Sequence, residues 1–259
     1  MSTLPLDRPA GVLVKTTCVD YPGLLAGSFF LKGCNLRCPY CYNTGLVLGK
    51  DDGTQPLNTV QELFDHLEKR QGILKGLTIS GGEPLINPYT PVIIKKARQL
   101  GYLIKLDTNG TLPDELEAFL DNPELRPDFI AMDIKTTPAR YAEVICPAFS
   151  NFHGNKEHFE HVVERTAKLV ASYPADKREW RTVLVPPLVQ KADIEAMAAV
   201  LPKDASWQFA QFQNQNCLDP AYNQILPYTD SEASELIEYA KKIIPGANLR
   251  EKMYMKIKK

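Results

Sequence analysis

The stretch Ser28-Phe29-Phe30-Leu31-Lys32-Gly33-Cys34-Asn35-Leu36-Arg37-Cys38-Pro39-Tyr40-Cys41 governs the reading of the whole chain. Its first four residues are a short apolar run of the kind buried strands use, and they lead straight into three cysteines spaced Cys-x3-Cys-x2-Cys. No fourth cysteine lies nearby in the sequence. Closed iron–sulfur and zinc sites normally take four protein ligands, so a compact group of three suggests a metal centre with one position open. On a four-iron cluster, Cys34, Cys38 and Cys41 would hold three irons and leave the fourth free for a small molecule. Two plainer readings stand beside this one. Zinc would need a fourth ligand from afar, and a closed electron-transfer cluster would need Cys18, Cys146 or Cys217. Each of those three is otherwise an ordinary buried or surface thiol.

Strand-like and helix-like stretches alternate beyond the cysteines. A helical rhythm over Thr59–Leu74, capped by Asn58 or Thr59, precedes a strand at Leu77–Ser80 and the turn Gly81-Gly82-Glu83-Pro84. A helix over Thr90–Leu100 stops at Gly101, and a strand at Tyr102–Leu106 ends in Asp107-Thr108-Asn109-Gly110. A helix through Glu115–Leu120 leads to a strand at Phe129–Met132, followed by Asp133-Ile134-Lys135. After a longer helix over Glu157–Ser172 come a strand at Arg181–Val185, a helix over Asp193–Leu201 and a strand at Trp207–Phe212. The last helix runs over Ser231–Ile244, and Pro147–Lys156 reads as a surface loop. Six βα units in succession call for a parallel sheet with right-handed crossovers. At 259 residues, a partial (β/α)6 barrel of the TIM type suits the α/β pattern better than a flat doubly wound sheet. No linker or internal repeat interrupts it, so one domain is expected over residues 1–259, with its core at about 24–215 and a C-terminal helix and tail over 230–259.

In such barrels the chemistry sits at the C-terminal ends of the strands. The cysteines, Gly81-Gly82-Glu83-Pro84, Asp107-Thr108-Asn109 and Asp133-Ile134-Lys135 all occupy that end of successive strands. One pocket can therefore collect three thiolates, two glycines, three carboxylates and a lysine. Glycines let backbone carbonyls approach an ammonium group closely, and Glu83 adds a carboxylate for the same cation. Lys135 could hold a carboxylate, and Asp107 or Asp133 could bind ribose hydroxyls, the lysine or a metal ion. The bland readings are helix capping by Asp107 and Asp133 and a solvated Lys135. Asn109-Gly110 is a common turn pair.

Composition narrows the function classes. With 44% hydrophobic and 24% charged residues, the chain has the make-up of a globular protein with a sizeable core. The formal net charge of −1, from 30 basic and 31 acidic residues, argues against a nucleic-acid or membrane-surface partner. The basic segment Arg250–Lys259 reads as a solvated tail. The start lacks a signal-peptide pattern, and no apolar run approaches the ~18 residues of a membrane span. Six cysteines, half of them clustered, fit a reducing cytoplasm rather than a disulfide framework. His66 reads as a surface residue, and His153, His158 and His161 lack a carboxylate or cysteine to complete a metal motif. Gln208–Gln213 reads as barrel wall.

The cysteine spacing, the aromatic at Tyr40 and Gly81-Gly82-Glu83-Pro84 together resemble the radical S-adenosylmethionine (SAM) superfamily. Val19-Asp20-Tyr21-Pro22-Gly23, Leu106-Asp107-Thr108-Asn109-Gly110, Met132-Asp133-Ile134-Lys135 and Arg181-Thr182-Val183-Leu184-Val185-Pro186 extend the likeness to activases of glycyl radical enzymes. The long form of anaerobic ribonucleotide reductase activating proteins is the nearest type, over roughly Gly11 to Arg250. Tyr42, where such activases often carry histidine, and Cys18, before Val19, depart from the pattern.

The resemblance implies that Cys34, Cys38 and Cys41 bind a [4Fe–4S] cluster whose open iron takes the methionyl amine and carboxylate of SAM. It places Tyr40 near the adenine, Gly81, Gly82 and Glu83 at the amine, and Asp107 and Lys135 near the methionyl group and ribose. Asp107, Thr108 and Asp133 match positions that hold a monovalent cation in pyruvate formate-lyase activase. The implied reaction is reductive cleavage of SAM to a 5′-deoxyadenosyl radical, which takes hydrogen from a glycine of a partner glycyl radical enzyme under anaerobic conditions. A low-potential donor such as flavodoxin or ferredoxin would supply the electron. A radical enzyme with a small-molecule substrate and a non-enzymatic iron–sulfur carrier are the competing functions.

Overall fold

In the computed structural model, which describes residues 4–49, 56–145 and 156–250, β1 (Pro9–Thr17) turns back into β2 (Ala26–Leu31) as an antiparallel pair. The two-residue β3 (Asn58–Thr59) lines the outer edge of β1. From β2 onward the pairing is parallel, through β4 (Gly76–Gly81), β5 (Leu103–Thr108), β6 (Phe129–Asp133), β7 (Arg178–Leu184), β8 (Trp207–Gln211) and β9 (Ala247–Leu249). The sheet order is β3-β1-β2-β4-β5-β6-β7-β8-β9. The helices are α1 (Thr44–Leu48), α2 (Val60–Lys69), α3 (Thr90–Gln99), α4 (Pro113–Asp121), α5 (Lys156–Ala171), α6 (Lys191–Ala198) and α7 (Asp230–Ile243).

Alternation along the parallel strands builds two environments. Leu77 and Ile79, Ile104 and Leu106, Ile130 and Met132, and Trp207 and Phe209 are all fully buried. They occupy one side of the sheet, and each such side chain stabilises the fold by roughly 1.5–3 kcal/mol. Because successive side chains point to opposite faces, the intervening residues form the other surface. Phe30, Ser80, Asp107, Asp133, Arg181, Gln208 and Ala210, from six strands, line one common cavity there. Strands this far apart in the sheet order share a cavity only if the sheet curls.

The curl brings the ends of the sheet near each other without closing them. Arg250, just past β9, donates to the Val19 carbonyl in the turn between β1 and β2. Among the described residues the two edge strands, β3 and β9, do not pair, so the partial barrel stays open on that side.

All six expected parallel strands form, at β2 and β4 to β8, and β1, β3 and β9 add to them. The helix expected to reach Leu74 ends at Lys69, because Arg70 caps it and Gly72 takes a positive φ of 79°. Its start is as anticipated: Thr59 accepts from the Glu62 amide while Glu62 accepts from the Thr59 amide, a capping box. The expected loop over Pro147–Lys156 lies outside the described residues except for Lys156, where α5 begins. Among the described residues no helix is long and apolar enough to cross a membrane.

Candidate active site

The cysteine loop leaves β2 at the end where β4, β5 and β6 also finish. Its course is fixed by backbone hydrogen bonds from Gly33 N to Leu46 O at 2.7 Å and from Cys41 N to Cys38 O at 3.0 Å. Arg37 donates to the Cys34 and Leu36 carbonyls at 2.7 and 2.8 Å. From behind, Leu218 N and Asp219 N donate to Cys41 O and Pro39 O, both at 2.9 Å. Cys34, Cys38 and Cys41 all line a cavity of ≈ 80 Å³. Among the described residues no three potential ligands converge on a single metal ion. Burial pushes the Cys34 and Cys41 thiols up, so as free groups they stay protonated.

The turn after β4 is pressed against this loop. Glu83 N donates to Gly33 O at 2.8 Å and Gly82 N to Leu31 O at 2.8 Å. A Cβ on Gly82 would stand 1.8 Å from the Gly33 carbonyl oxygen, and one on Gly81, whose φ is +118°, 2.3 Å from the Leu31 backbone. The glycines are therefore needed first for the approach of one chain segment to another. Both also line the small cavity.

Glu83 behaves differently from the amine ligand expected of it. Its residue is fully buried, and its carboxylate accepts from Leu85 N at 3.1 Å, Thr108 Oγ1 at 3.1 Å and Asn109 N at 2.7 Å. It contributes to neither cavity described here. Burial pushes the carboxyl up to about 7, although three hydrogen bonds favour its ionised form. Thr108 is thereby partly occupied as well. Asn109 reaches back to the cysteine loop, donating to Asn35 Oδ1 at 2.7 Å, with its Nδ2 at 3.9 Å from Cys34 Sγ.

Beside the small cavity lies a larger one of ≈ 300 Å³, lined in part by Tyr40, Tyr42, Asp20 and Arg250. Ser80, Gly81, Asp107, Asp133, Lys135 and Arg181 line both. The charged walls are linked. Arg181 donates through one terminal nitrogen to Asp107 at 2.7 Å and through Nε to Asp133 at 2.8 Å, and Lys135 reaches Asp133 at 3.2 Å. Burial would raise the Asp107 carboxyl, but Arg181 and Lys105 hold it well below the usual carboxylate range. Asp133 is lowered against the same opposing effect by Arg181 and Lys135. Burial opposes the Lys135 charge, yet Asp133 and Tyr40 outweigh it and keep the ammonium well above its ordinary range. Tyr141 fixes the Lys135 backbone, accepting from its amide at 2.8 Å.

Every expected site residue thus gathers at one end of the barrel: Cys34, Cys38, Cys41, Tyr40, Gly81, Gly82, Asp107, Thr108, Asp133 and Lys135 line the cavities, and Glu83 braces them from behind. Cys18 is exposed, Cys217 is buried, and neither lines these cavities; Cys146 and His153 lie outside the described residues. His66 sits on α2 within 2.8 Å of Lys15 O, remote in role from the site. Sequence reasoning missed Lys105, Glu179 and Tyr141. None of the three carries a signal in the sequence: Lys105 and Glu179 read there as surface charges, and Tyr141 as an ordinary aromatic.

Residues 28–199 match the radical SAM superfamily. A protein of Methanocaldococcus jannaschii, provisionally named a glycyl-radical enzyme activating enzyme, is 28% identical over 242 residues, covering 92% of this chain and 94% of its own. The 7-carboxy-7-deazaguanine synthase of Aquifex aeolicus is 30% identical over 169 residues, 61% of this chain and 74% of its own. The pyruvate formate-lyase-activating enzyme of Staphylococcus epidermidis is 30% identical over 125 residues, 45% of this chain and 49% of its own. Among solved structures, TYW1 with a lysine-pyruvate adduct shares the fold at a TM-score of 0.55 and 13% identity, covering 84% of this chain and 73% of that one. The chain belongs to the radical SAM superfamily and is an enzyme, which sets aside the electron-carrier reading. Membership implies a [4Fe–4S] cluster and SAM as cofactors.

Proposed function

We propose that this radical SAM enzyme installs a glycyl radical in anaerobic ribonucleotide reductase. Cys34, Cys38 and Cys41 hold the cluster, SAM occupies the adjoining cavity, and a hydrogen atom is taken from one glycine Cα of the partner. The observation that carries this reading is the placement of three thiols on one small cavity that shares its charged wall with a larger one. The donor set fits a cluster: desolvated thiols become thiolates when iron binds, and neither Cys18 nor Cys217 lines the cavity to serve as fourth ligand. The bound, reduced cluster supplies the low-potential electron that cleaves the sulfonium.

The chain's own residues bind and orient. Lys135, held by Asp133, is placed to receive the methionyl carboxylate, and backbone groups of Gly81 and Gly82 the amine. Tyr40, buried on the larger cavity, supplies an aromatic wall for the adenine. Glu83 acts through the loops it joins. The open side between the edge strands β3 and β9 gives a polypeptide loop access to the interior, as a protein substrate requires. A flavodoxin or ferredoxin is the matching electron donor, and residues 1–259 act as one domain.

The test is direct. Anaerobically reduced, iron-loaded protein is mixed with SAM and anaerobic ribonucleotide reductase, and the glycyl doublet is sought by electron paramagnetic resonance (EPR). Absence of the doublet with this and every other glycyl radical enzyme rejects the reading. The likeness to 7-carboxy-7-deazaguanine synthase favours a second one, a small-molecule substrate. Release of 5′-deoxyadenosine that depends on a metabolite and needs no partner protein would establish that alternative.

A further inference from the structure

Lys105 sits in the middle of β5 with no exposed surface, an expensive place for an ammonium unless carboxylates surround it. Two do. Its Nζ lies 2.5 Å from Asp107 and 3.4 Å from Glu179, and 5.7 Å from the centre of the Phe129 ring. The second Asp107 oxygen accepts from Arg181, Arg181 continues to Asp133, and Asp133 to Lys135. The result is an unbroken chain, Glu179–Lys105–Asp107–Arg181–Asp133–Lys135, of three carboxylates and three cations. Its formal charge is zero.

We propose that Lys105 is the internal counter-cation of the SAM site: it fixes Asp107 from beneath and makes the wall electrostatically complete without an added metal cation. This rests on the reading that the wall holds SAM. An alkali ion at Asp107, Thr108 and Asp133 would need carboxylate oxygens already taken by Lys105, Arg181 and Lys135. It would also leave one uncompensated positive charge in a buried network, beside a substrate that carries a sulfonium. Lys105 does not line either cavity, so it is a positioning residue, acting through Asp107.

The experiment uses anaerobically reconstituted, reduced holoprotein, with SAM binding read from the change in the cluster's EPR signal. Titrations are run with sodium, with potassium and with tetramethylammonium as sole cation. Wild type should give the same SAM-induced signal and, within about twofold, the same affinity in all three. Lys105→Met should lose affinity roughly tenfold or more in tetramethylammonium and recover part of it in sodium or potassium. Lys105→Met/Glu179→Gln, which removes the buried charges in balance, should fold like wild type and, with the remaining network again neutral, bind SAM alike in all three buffers; an alkali-ion dependence as strong as that of Lys105→Met overturns the charge argument. A wild-type response that requires an alkali ion overturns the inference while leaving the SAM site intact. No response to SAM in any buffer removes the reading of the site, and the inference with it.

Discussion

The backbone amide of Asn109 donates to the Glu83 carboxylate at 2.7 Å, joining the turn after β4 to the turn after β5 through a side chain that solvent does not reach. Asn109 in turn holds Asn35, so three consecutive βα turns are braced as one unit around the cysteines. Rigidity of this kind is what an open metal site needs if its geometry is to survive without a fourth protein ligand.

Glu83 should make stability fall as pH rises. Its carboxyl moves from 4.5 to about 7 on folding, so between those values the folded chain keeps a proton the unfolded chain has released. The contribution is complete below the unfolded value and is lost as pH climbs through the folded one. It amounts to on the order of 3 kcal/mol. Thermal melts of wild type and Glu83→Gln from pH 5 to 8 check this: the wild-type advantage should shrink or reverse with rising pH. Parallel curves would mean that Glu83 ionises as an ordinary carboxylate.

Gly82→Ala should destabilise the chain by about 1–3 kcal/mol or more, because the new methyl collides with the Gly33 backbone. Gly27→Ala is the control, since its Cβ meets nothing closer than 3.7 Å. Differential scanning calorimetry of both, with iron content measured in parallel, should show the first variant losing heat stability and iron while the second keeps both.

Arg181→Met should cost about 3–5 kcal/mol by leaving Asp107 and Asp133 facing each other without the guanidinium that joins them. Arg181→Lys should recover only part of this, since an ammonium cannot reach both carboxylates as a planar fork does. Chemical denaturation resolves the order of the three proteins; an Arg181→Lys variant as stable as wild type would show that charge alone, without geometry, suffices.

Cys34→Ser, Cys38→Ser and Cys41→Ser should each abolish stable iron loading, whereas Cys18→Ser and Cys217→Ser should leave it unchanged. The iron-to-protein ratio after anaerobic reconstitution decides this. Loss of iron in Cys217→Ser would identify a fourth ligand and turn the site into a closed one.

Much of this was legible in the chain because strand ends carry their own punctuation. Cys34 to Cys41, Gly81 to Pro84, Asp107 to Asn109 and Asp133 to Lys135 each follow an apolar run, and barrel topology alone brings them together. What stayed hidden has physical reasons. β1 is only partly buried, and β9 is three residues long, so neither shows a strong hydrophobic pattern. Glu83 reads as a ligand from its spacing, yet its backbone places the carboxylate away from the cavity, a fact that depends on the φ and ψ of the turn. Lys105 and Glu179 look like surface charges until the curl of the sheet puts both inside.

Mössbauer spectroscopy of the 57Fe-reconstituted [4Fe–4S] protein, recorded anaerobically with and without SAM, separates an open cluster from a closed one. One iron site of the four should change its isomer shift and quadrupole splitting on SAM addition, with the other three unmoved, because three thiolates leave a single iron open. Four sites with thiolate-type parameters, indifferent to SAM, would mean a closed cluster with a fourth protein ligand and no SAM-binding iron.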